Sequence, residues 1–425
     1  MGSFKEPGNP LKNSFEIYKK SFEDLYKSLK LADFNKAKSL VPISKEGIIL
    51  DGSHRVAAAI NLRKNIYCIR LDIVPPNYDQ NFFKSRLVSE AFLDQCAQKQ
   101  IEVDKNIHVA IIWPAGFLPE FKIENFLPNI FYKKQINLSL NGLKNFVNIV
   151  YEGEDWLGSK SNGFSGALSK AMPCYSNSPI SLILFKPINK NDLILLKTRI
   201  RNILGKGKNS IHINDNHLEA IRITKAFFNK NTMHFLNNFK FIEKSTFYDN
   251  FEKFKNYTSK KKIDPNLIAL DGSMVLSAYS LRNARDIDFI AHSSIKKNIK
   301  INEKSLISLH NKNVEMFYGK KLDELITDSR NYFVYEDFKF VSLNQLSEMK
   351  SKRNEKKDAI DLMLIDSILK KKFFRKFHAR YNQLIFFTFF RIRNYLITFL
   401  KKIKLYSFSK KFYNLISYIK NFFLD

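Results

Sequence analysis

Two aspartates in the third quarter of the chain have the spacing that metal chemistry needs. Asp286 and Asp288 are separated by Ile287 and followed by Phe289 and Ile290. On a β-strand, side chains at positions i and i+2 point to the same face, so both carboxylates would face one metal ion while the apolar residues face the core. Mg²⁺ or Mn²⁺ held in this way stabilises the attacking and leaving oxygens of a phosphoryl or nucleotidyl transfer.

The segment before this acidic pair has features that suit phosphate binding. Residues 267–270 predict a strand, and Met274 to Leu281 predict a helix. Between them lie Gly272 and Ser273, and a Gly-Ser turn at a helix N-terminus lets backbone N–H groups approach a phosphate closely. Twelve residues separate Ser273 from Asp286. This order of elements predicts a phosphate cradle beside two metal ligands.

The order of these motifs resembles the nucleotidyltransferase superfamily, whose pattern is Gly-Gly or Gly-Ser, a helix, and then acid-apolar-acid. Arg282 and Arg285 resemble the arginines that precede the acidic pair in bacterial stand-alone members. The resemblance implies a nucleoside triphosphate substrate and a Mg²⁺ or Mn²⁺ cofactor, but it does not identify the acceptor. The resemblance implies that Asp286 and Asp288 are catalytic and bind the metal. It implies phosphate contacts at Gly272, Ser273 and Arg285.

The superfamily usually has a third catalytic carboxylate on a following strand. The run Val314-Glu315-Met316-Phe317-Tyr318 is the natural place for that strand. Glu315 is therefore our candidate for the third catalytic and metal-binding group, and Asp323 is the alternative. The choice of Glu315 requires residues 314–318 to be extended.

A charged helix is predicted after the apolar run Phe340 to Leu343. Spacings of three and four residues place four charged side chains on one face of it, namely Lys350, Arg353, Lys357 and Asp361. The resemblance implies that the cations touch nucleotide phosphates while Asp358 or Asp361 orients them. A solvated charged face is the alternative interpretation of the same spacing.

A second phosphate-binding motif is predicted near the N-terminus, where residues 48–59 read as a strand, a tight turn and an Ala-rich helix. The turn Asp51-Gly52-Ser53-His54-Arg55 resembles the ParB/sulfiredoxin superfamily, in which the turn and the helix N-terminus hold nucleotide phosphates. The implied phosphate contacts are Gly52, Ser53, His54 and Arg55. The alternative is a buried turn in which Arg55 forms a structural salt bridge.

This first block departs from two branches of the ParB/sulfiredoxin superfamily. Ser53 stands where sulfiredoxin has its cysteine, and no helix-turn-helix segment follows as in chromosome-partition proteins. The remaining resemblance is to members that act as small-molecule kinases, although His54 falls one place later than in their signature. We therefore expect nucleotide or phosphate binding and leave kinase activity open.

A third candidate site lies in the middle of the chain. The stretch Ser159 to Gly166 is rich in Gly and Ser and is followed by Lys170, and such loops are common at ligand sites. Four residues farther on have types suited to phosphoryl transfer or acid–base chemistry, namely Lys208, His212, Asp215 and Glu219. A histidine satisfied within the core is the alternative for His212.

Composition favours anionic partners without naming one. The formal net charge is +29, which suits phosphorylated substrates, and nucleic acid is less favoured because a compositional bias spread over the chain explains much of the charge. Residues 370–425 interleave aromatics with cations, which predicts amphipathic helices on an anionic membrane surface. Packing on the protein body and RNA binding are the alternatives for this tail.

Two features absent from the sequence bear on the location of the protein and on the role of its cysteines. The N-terminal residues form no apolar leader segment, so we expect a cytoplasmic protein, peripheral on the inner membrane face if the tail binds lipid. The three cysteines are far apart, which argues against a disulfide framework or a zinc site.

The sequence as a whole predicts an α/β (α+β) multidomain protein. Its expected parts are a ParB/sulfiredoxin-like domain at 1–105, a middle α/β domain at 106–238, a nucleotidyltransferase domain at 239–369 and a helical tail at 370–425. The expected function is Mg²⁺-dependent nucleotidyl transfer to a sugar or polyol phosphate for bacterial surface-glycan assembly, with a kinase step in the first block as an option. A toxin-type enzyme that modifies tRNA or protein, and a nucleotide-gated binding protein, are the alternatives.

Overall fold

The structure is a computed structural model, and the chain in it divides into two compact units. Unit 1 comprises Met1–Lys99 and Asn129–Lys133, and unit 2 comprises Gln100–Pro128 and Lys134–Asp425. The residues that the structure describes are 10–75, 77–118, 122–159, 162–189, 192–240, 246–296, 299, 306–312, 314–370 and part of 381–405. The fold class is mixed α/β with several small sheets, as the sequence predicts.

Unit 1 is built around a small apolar cluster of Leu29, Phe34, Val41 and Ala58. The elements up to residue 103 are α1 (Phe15–Leu31), β1 (Val41–Ile43), α2 (Ser53–Leu62), β2 (Cys68–Arg70), α3 (Gln80–Ser85) and α4 (Glu90–Val103). Strands β1 and β2 pair in parallel. The predicted Ala-rich helix is confirmed as α2, but the strand predicted before it is reduced to one isolated bridge between Ile49 and Ile43.

The first part of unit 2 surrounds a strand that is buried along its whole length. The elements between residues 108 and 238 are β3 (His108–Ile112), β4 (Ile130–Ile136), α5 (Leu140–Val150), α6 (Ser165–Cys174), β5 (Ile180–Phe185), α7 (Leu193–Leu204), β6 (Ile211–Ile213), α8 (His217–Phe227) and α9 (Lys230–Asn238). Strand β3 lies between β5 and β6 and is antiparallel to both. All five residues of β3 are buried.

The second part of unit 2 contains a five-stranded sheet. The elements from residue 246 to residue 369 are α10 (Thr246–Lys260), β7 (Ile268–Leu270), α11 (Ser273–Ala278), β8 (Ile287–Ala291), α12 (Ser293–Lys296), β9 (Ile307–Leu309), α13 (Val314–Tyr318), α14 (Leu322–Thr327), β10 (Tyr332–Tyr335), β11 (Phe338–Val341), α15 (Leu343–Arg353) and α16 (Lys356–Leu369). The strand order is β10-β11-β7-β8-β9. Strand β8 is antiparallel to β7 and parallel to β9, so the predicted acidic strand is an interior strand.

Stacked aromatic rings join the two parts of unit 2. The ring centroid of Phe235 on α9 lies 4.5 Å from that of Phe333 on β10, and Phe333 lies 5.0 Å from Phe340 on β11. All three side chains are fully buried. Burying an aromatic side chain contributes about 1.5–3 kcal/mol, so this stack stabilises the packing of α9 against β10 and β11.

Two local predictions are corrected by the structure. Residues 314–318 form helix α13 and not a strand. The single charged helix expected after the run Phe340 to Leu343 is two helices, because Asn354 adopts a left-handed conformation at φ 52° and ends α15. Helix α16 then begins with a capping box formed by Glu355 and Asp358.

The tail is described only in part. Residues 395–402 are helical, and Tyr395, Leu396 and Phe399 are exposed. Most of the predicted amphipathic region lies outside the described residues. Within the described residues, no helix combines the length and the apolar character that crossing a bilayer requires.

Candidate functional site

Asp286 and Asp288 lie at the start of β8, beside the turn that precedes α11. Asp286 is exposed, whereas Asp288 is buried. Ser273 Oγ donates to Asp286 Oδ1 at 2.8 Å, which ties the Gly-Ser turn to the first carboxylate. On the other side, Ser308 Oγ donates to Asp288 Oδ1 at 2.6 Å, and His310 Nε2 lies 3.1 Å from the same oxygen.

The electrostatics of Asp288 favour a bound cation. Burial raises the pKa of Asp288, and the carboxylates of Asp286 and Asp271 raise it further. Ser308 and His310 act in the opposite direction. A metal ion between the two strand carboxylates would relieve the repulsion, because a nearby opposite charge favours the ionised form.

The turn at Gly272 requires glycine. Its backbone has φ 57° and ψ −123°, a conformation that side chains with a Cβ rarely adopt. A Cβ atom at this position would also lie 3.1 Å from Asp288 Oδ2. The turn is fixed from behind, since Asp271 Oδ1 accepts the Gly272 N–H at 2.6 Å and also accepts a hydrogen bond from the buried Tyr318 hydroxyl.

We expect Gly272→Ala to lower the free energy of unfolding by about 1–3 kcal/mol, because the backbone strain adds to the crowding of Asp288. Gly205→Ala is the matched control: Gly205 also has a positive φ, 64°, but nothing lies within 4 Å of its Cβ position, so we expect a cost of about 1 kcal/mol. Urea denaturation of both variants measures the difference. Equal losses would contradict the tight packing of the turn against Asp288.

Two cations on α15 and one in the loop after α11 meet in a network with two aspartates on α16. Lys350 Nζ, buried on α15, lies 3.0 Å from Asp358 Oδ1 and 2.7 Å from Asp361 Oδ2. Arg353 Nη2 donates to Asp358 Oδ1 at 2.7 Å, and Arg282 Nε donates to Asp361 Oδ1 at 2.7 Å. The two aspartates on α16 therefore hold three cations in fixed positions.

The network strongly favours the ionised form of Asp358. Burial alone would raise the pKa of this carboxyl, but the hydrogen bonds from Arg353 and Lys350 outweigh it and hold the pKa at about 2. The same pairing raises the pKa of Arg353. Ion pairs with the two aspartates therefore fix the positions of these cations.

The turn, the two carboxylates and the three cations line one cavity of about 550 Å³, a size typical of small-molecule sites. Its lining residues are Gly272, Ser273, Arg282, Arg285, Asp286, Asp288, Ser308, His310, Met349, Lys350, Arg353, Lys357, Ile360 and Asp361. The sequence-predicted residues that it brings together include both strand carboxylates, the Gly-Ser turn, and every cation predicted to contact phosphate in this region.

The predicted third carboxylate is not among the lining residues. Glu315 is exposed on helix α13, and the short helix replaces the strand that its assignment required. The alternative, Asp323, accepts hydrogen bonds from Ser293 N at 2.8 Å and Ser293 Oγ at 2.6 Å. Neither residue lines the cavity.

Sequence reasoning missed Ser308 and His310, which line the cavity, and the contacts by which Asp271 and Tyr318 support the glycine turn. Strand register explains two of them, because Asp288 on β8 faces Ser308 on β9 and His310 follows two positions later. A signal existed in the alternation of Ile307, Leu309 and the polar residues between and after them. Pairing β8 with that run was the step that the sequence did not specify.

The residues present fit a Mg²⁺ ion bound together with a nucleotide. Mg²⁺ is usually held by one or two carboxylates plus substrate phosphates and waters, and not by a cage of protein ligands. Asp286 and Asp288 meet that requirement, since their carboxylates repel each other and a cation would relieve this repulsion. Among the described residues, no group of three or more His, Cys, Asp or Glu side chains is suited to hold a metal ion.

In the N-terminal motif, the predicted phosphate ligand Arg55 has a structural role. Arg55 Nη1 donates to Leu40 O at 3.0 Å and to Ser39 Oγ, and Nη2 donates to Asp51 Oδ2 at 3.3 Å. His54 is exposed, as is Ser53, and Gly52 precedes α2 with φ 84°. Arg55 therefore ties its own turn together, and phosphate binding there stays a prediction.

The predicted middle site is only partly assembled. His212 Nε2 lies 2.6 Å from Glu219 Oε1, and both residues are buried. Asp215 is exposed and pairs with Lys197 at 3.0 Å. Lys208 is exposed. The histidine is thus satisfied by Glu219, as the core alternative expects.

The cavity in unit 2 brings three kinds of group together. A glycine turn, two strand carboxylates and a fixed set of cations face one another across it. No family model matches the chain, and searches of characterised proteins and of solved structures found no match either.

Proposed function

We propose that unit 2 is a metal-dependent nucleotidyltransferase that activates a phosphorylated small molecule, such as a sugar or polyol phosphate. The observation that carries this proposal is that the Gly272-Ser273 turn, the Asp286 and Asp288 carboxylates and a set of paired cations line one cavity. Each element matches one requirement of the reaction: close approach to phosphate, metal binding and charge neutralisation.

The triphosphate would lie between the turn and the cations. Because Gly272 has no side chain, a phosphate can approach the backbone of the turn closely, while the Gly272 N–H itself is bonded to Asp271. Arg285 and Lys357 line the cavity and offer charge to the oxygens. Because Asp358 and Asp361 already hold the other cations, those positions need little reorganisation as charge develops, which is the condition for effective electrostatic stabilisation.

A Mg²⁺ or Mn²⁺ ion, when bound, supplies Lewis-acid stabilisation of the attacking and leaving oxygens. Asp286 and Asp288 would hold it. Ser273 and Ser308 orient these carboxylates through their hydrogen bonds. Orientation of metal ligands by such neighbours commonly matters as much as the ligands themselves.

The acceptor that fits best is a phosphate monoester. An oxygen of that phosphate forms a bond to the α-phosphorus, the bond from the α-phosphorus to the bridging oxygen breaks, and its electron pair leaves with pyrophosphate. No proton has to be removed, since the second pKa of a phosphate monoester is about 6. This suits a cavity in which Asp361 is the one further carboxylate among the described lining residues and is already bonded to Arg282 and Lys350.

A second candidate function is transfer to a hydroxyl of tRNA or protein. His310 favours it, because this imidazole lines the cavity, is 43% exposed and lies beside Asp288. A hydroxyl acceptor has to lose a proton, and a positioned histidine can take it. The net charge of +29 would assist the approach of a nucleic acid.

The test of the first proposal is pyrophosphate release by the purified full chain with each nucleoside triphosphate, Mg²⁺ or Mn²⁺, and a panel of sugar and polyol phosphates. We expect release that depends on both the metal and one class of phosphorylated acceptor. Absence of release with every triphosphate and acceptor under both metals would count against the proposal.

His310→Gln separates the two acceptors. With a phosphate acceptor we expect activity to stay within about ten-fold of the unmodified protein, whereas a hydroxyl acceptor should lose about 10²–10⁴-fold, the usual contribution of acid–base catalysis. Steady-state rates with each acceptor measure this. A large loss with sugar phosphates would contradict direct attack by an ionised phosphate.

The wider biological role also remains a proposal. Nucleotide-activated sugars or polyols feed surface-glycan assembly, and a tail with exposed Tyr395, Leu396 and Phe399 among cations suits an anionic membrane surface. Unit 1 would then add nucleotide binding or a kinase step at the Gly52 turn. A cytoplasmic enzyme, peripheral at the inner membrane face, fits these features together.

A further inference from the structure

Three cations in the first part of unit 2 have no carboxylate partner among the residues that the structure describes. They are Lys170 on α6, Arg201 on α7 and Lys208 in the loop after α7. Lys170 Nζ donates to Lys208 O at 2.8 Å and to Asn209 Oδ1 at 2.9 Å. Within the described part of the chain, the Arg201 and Lys208 side chains form no ion pair or hydrogen bond.

The nearby carboxylates are occupied elsewhere. Glu219 lies 2.6 Å from His212 through Oε1 and accepts the Asp215 N–H at 2.8 Å through Oε2. Asp215 pairs with Lys197 at 3.0 Å. Neither carboxylate is therefore available to neutralise the three cations.

The cost of this arrangement is visible at two atoms. Burial lowers the pKa of Lys170, and the charges of Arg201 and Lys208 lower it further, against an opposing effect of the Cys174 thiol. Arg201 Nε is buried without a hydrogen-bond partner in the described structure. Buried donors are nearly always satisfied, so such an atom points to a missing acceptor.

An aromatic group borders the same region. The Tyr151 ring lies 4.9 Å from the His212 ring and 5.1 Å from Trp156, and Trp113 stacks on Tyr151 at 6.4 Å. Trp156 is 43% exposed. The backbone carbonyl of Trp156 lies against Gly166 on α6, so the aromatic group borders the helix that carries Lys170.

We propose that Lys170, Arg201 and Lys208 form a second anion site, separate from the nucleotidyltransferase cavity, that binds the phosphate of a phosphorylated small molecule. A phosphate carries up to two charges and three acceptor oxygens, so it balances three cations better than a carboxylate does. The bordering rings would contact the organic part of the ligand. This inference does not depend on the proposed nucleotidyl transfer.

Intrinsic fluorescence gives a local readout, because the chain has two tryptophans and both belong to this aromatic group. Inorganic phosphate is the probe, titrated into the full chain at constant ionic strength, with acetate as the control anion. We expect a saturable change in tryptophan emission with phosphate and a much weaker response to acetate. The nucleotidyltransferase cavity has no tryptophan in its lining, so Asp286→Asn should leave the response unchanged.

Variants assign the signal to the cations. Arg201→Gln and Lys170→Met should each weaken phosphate binding by about ten-fold or more, as expected for the loss of a charged hydrogen bond. Lys208→Gln, at an exposed position that does not endanger folding, should weaken it as well. Lys261→Gln, an exposed lysine of the same unit, is the matched control and should bind normally. A titration without saturation, an equal response to acetate, or unchanged binding in Arg201→Gln and Lys208→Gln would overturn the proposal.

Discussion

Asp286→Asn and Asp288→Asn should each lower the rate of pyrophosphate release by about 10³-fold or more. Removal of one well-placed electrostatic group already costs about 10²–10³-fold in enzymes that depend on such groups, and here each substitution also removes a metal ligand. Steady-state pyrophosphate assays at saturating Mg²⁺ measure the loss. Mn²⁺ should restore little activity, since asparagine keeps the shape of the side chain but not its charge.

The same substitutions should leave the fold intact. Asn at position 288 can still accept the hydrogen bond from Ser308, and it removes the repulsion that raises the pKa of Asp288. The thermal midpoint should therefore be unchanged or slightly higher. A drop in the midpoint alongside the lost activity would mean that the carboxylates stabilise the sheet and not a metal ion.

Glu315→Gln is the contrasting variant. The superfamily resemblance assigns this residue a catalytic role, but its exposed position on α13, outside the lining of the cavity, leads us to expect near-normal activity. Surface substitutions of this kind usually change stability by about 0.5 kcal/mol or less. A loss as large as that of Asp288→Asn would restore Glu315 to the site and would require α13 to move.

The sequence predicted the acidic strand and the glycine turn because both are local. Ile287 and Phe289 alternate with the aspartates, and the strand that forms is Ile287–Ala291, which begins one residue after Asp286. The turn before α11 follows from Gly272, whose backbone angles few other residues adopt. A structure that depends on two or three neighbouring residues can be predicted from the sequence, because tertiary packing changes it little.

The prediction of a strand at 314–318 was wrong because a run of five residues can fit both the helical and the strand period. Val314 and Tyr318 are the buried ones, and they are four positions apart, which is the helical spacing. The superfamily resemblance implied a third carboxylate on a following strand, and a strand was therefore predicted at these residues. Short apolar runs are ambiguous between helix and strand, and tertiary packing decides them.

The break between α15 and α16 was signalled but not recognised. Asn354 tolerates the left-handed conformation that ends a helix, and Glu355 with Asp358 supplies a capping box for the next one. The break turns Asp358 back toward Lys350 and Arg353, so the cations pair across two helices and not along one. That pairing depends on how the helices pack, which residue spacing alone does not contain.

Asp358→Asn should be the most destabilising single charge substitution in this network. The variant removes the buried carboxylate that both Lys350 and Arg353 contact and leaves Lys350 with Asp361 alone. Breaking a buried ion pair by removing one partner typically costs about 3–5 kcal/mol. Urea denaturation at neutral pH measures the loss. Glu348→Gln, an exposed carboxylate on the same helix as Lys350, should change stability by about 0.5 kcal/mol or less.

The pH dependence identifies the cause of that loss. The pKa of Asp358 is about 2 in the folded protein against an ordinary value of 3.8, so its contribution is fully present above about pH 4 and is lost as the pH falls through 2. A difference of this size corresponds to about 2–3 kcal/mol. The gap in unfolding free energy between the unmodified protein and Asp358→Asn should therefore narrow by about that amount between pH 5 and pH 2. A gap that stays constant over this range would show that Asp358 acts through packing, and the fixed cations would then need another explanation.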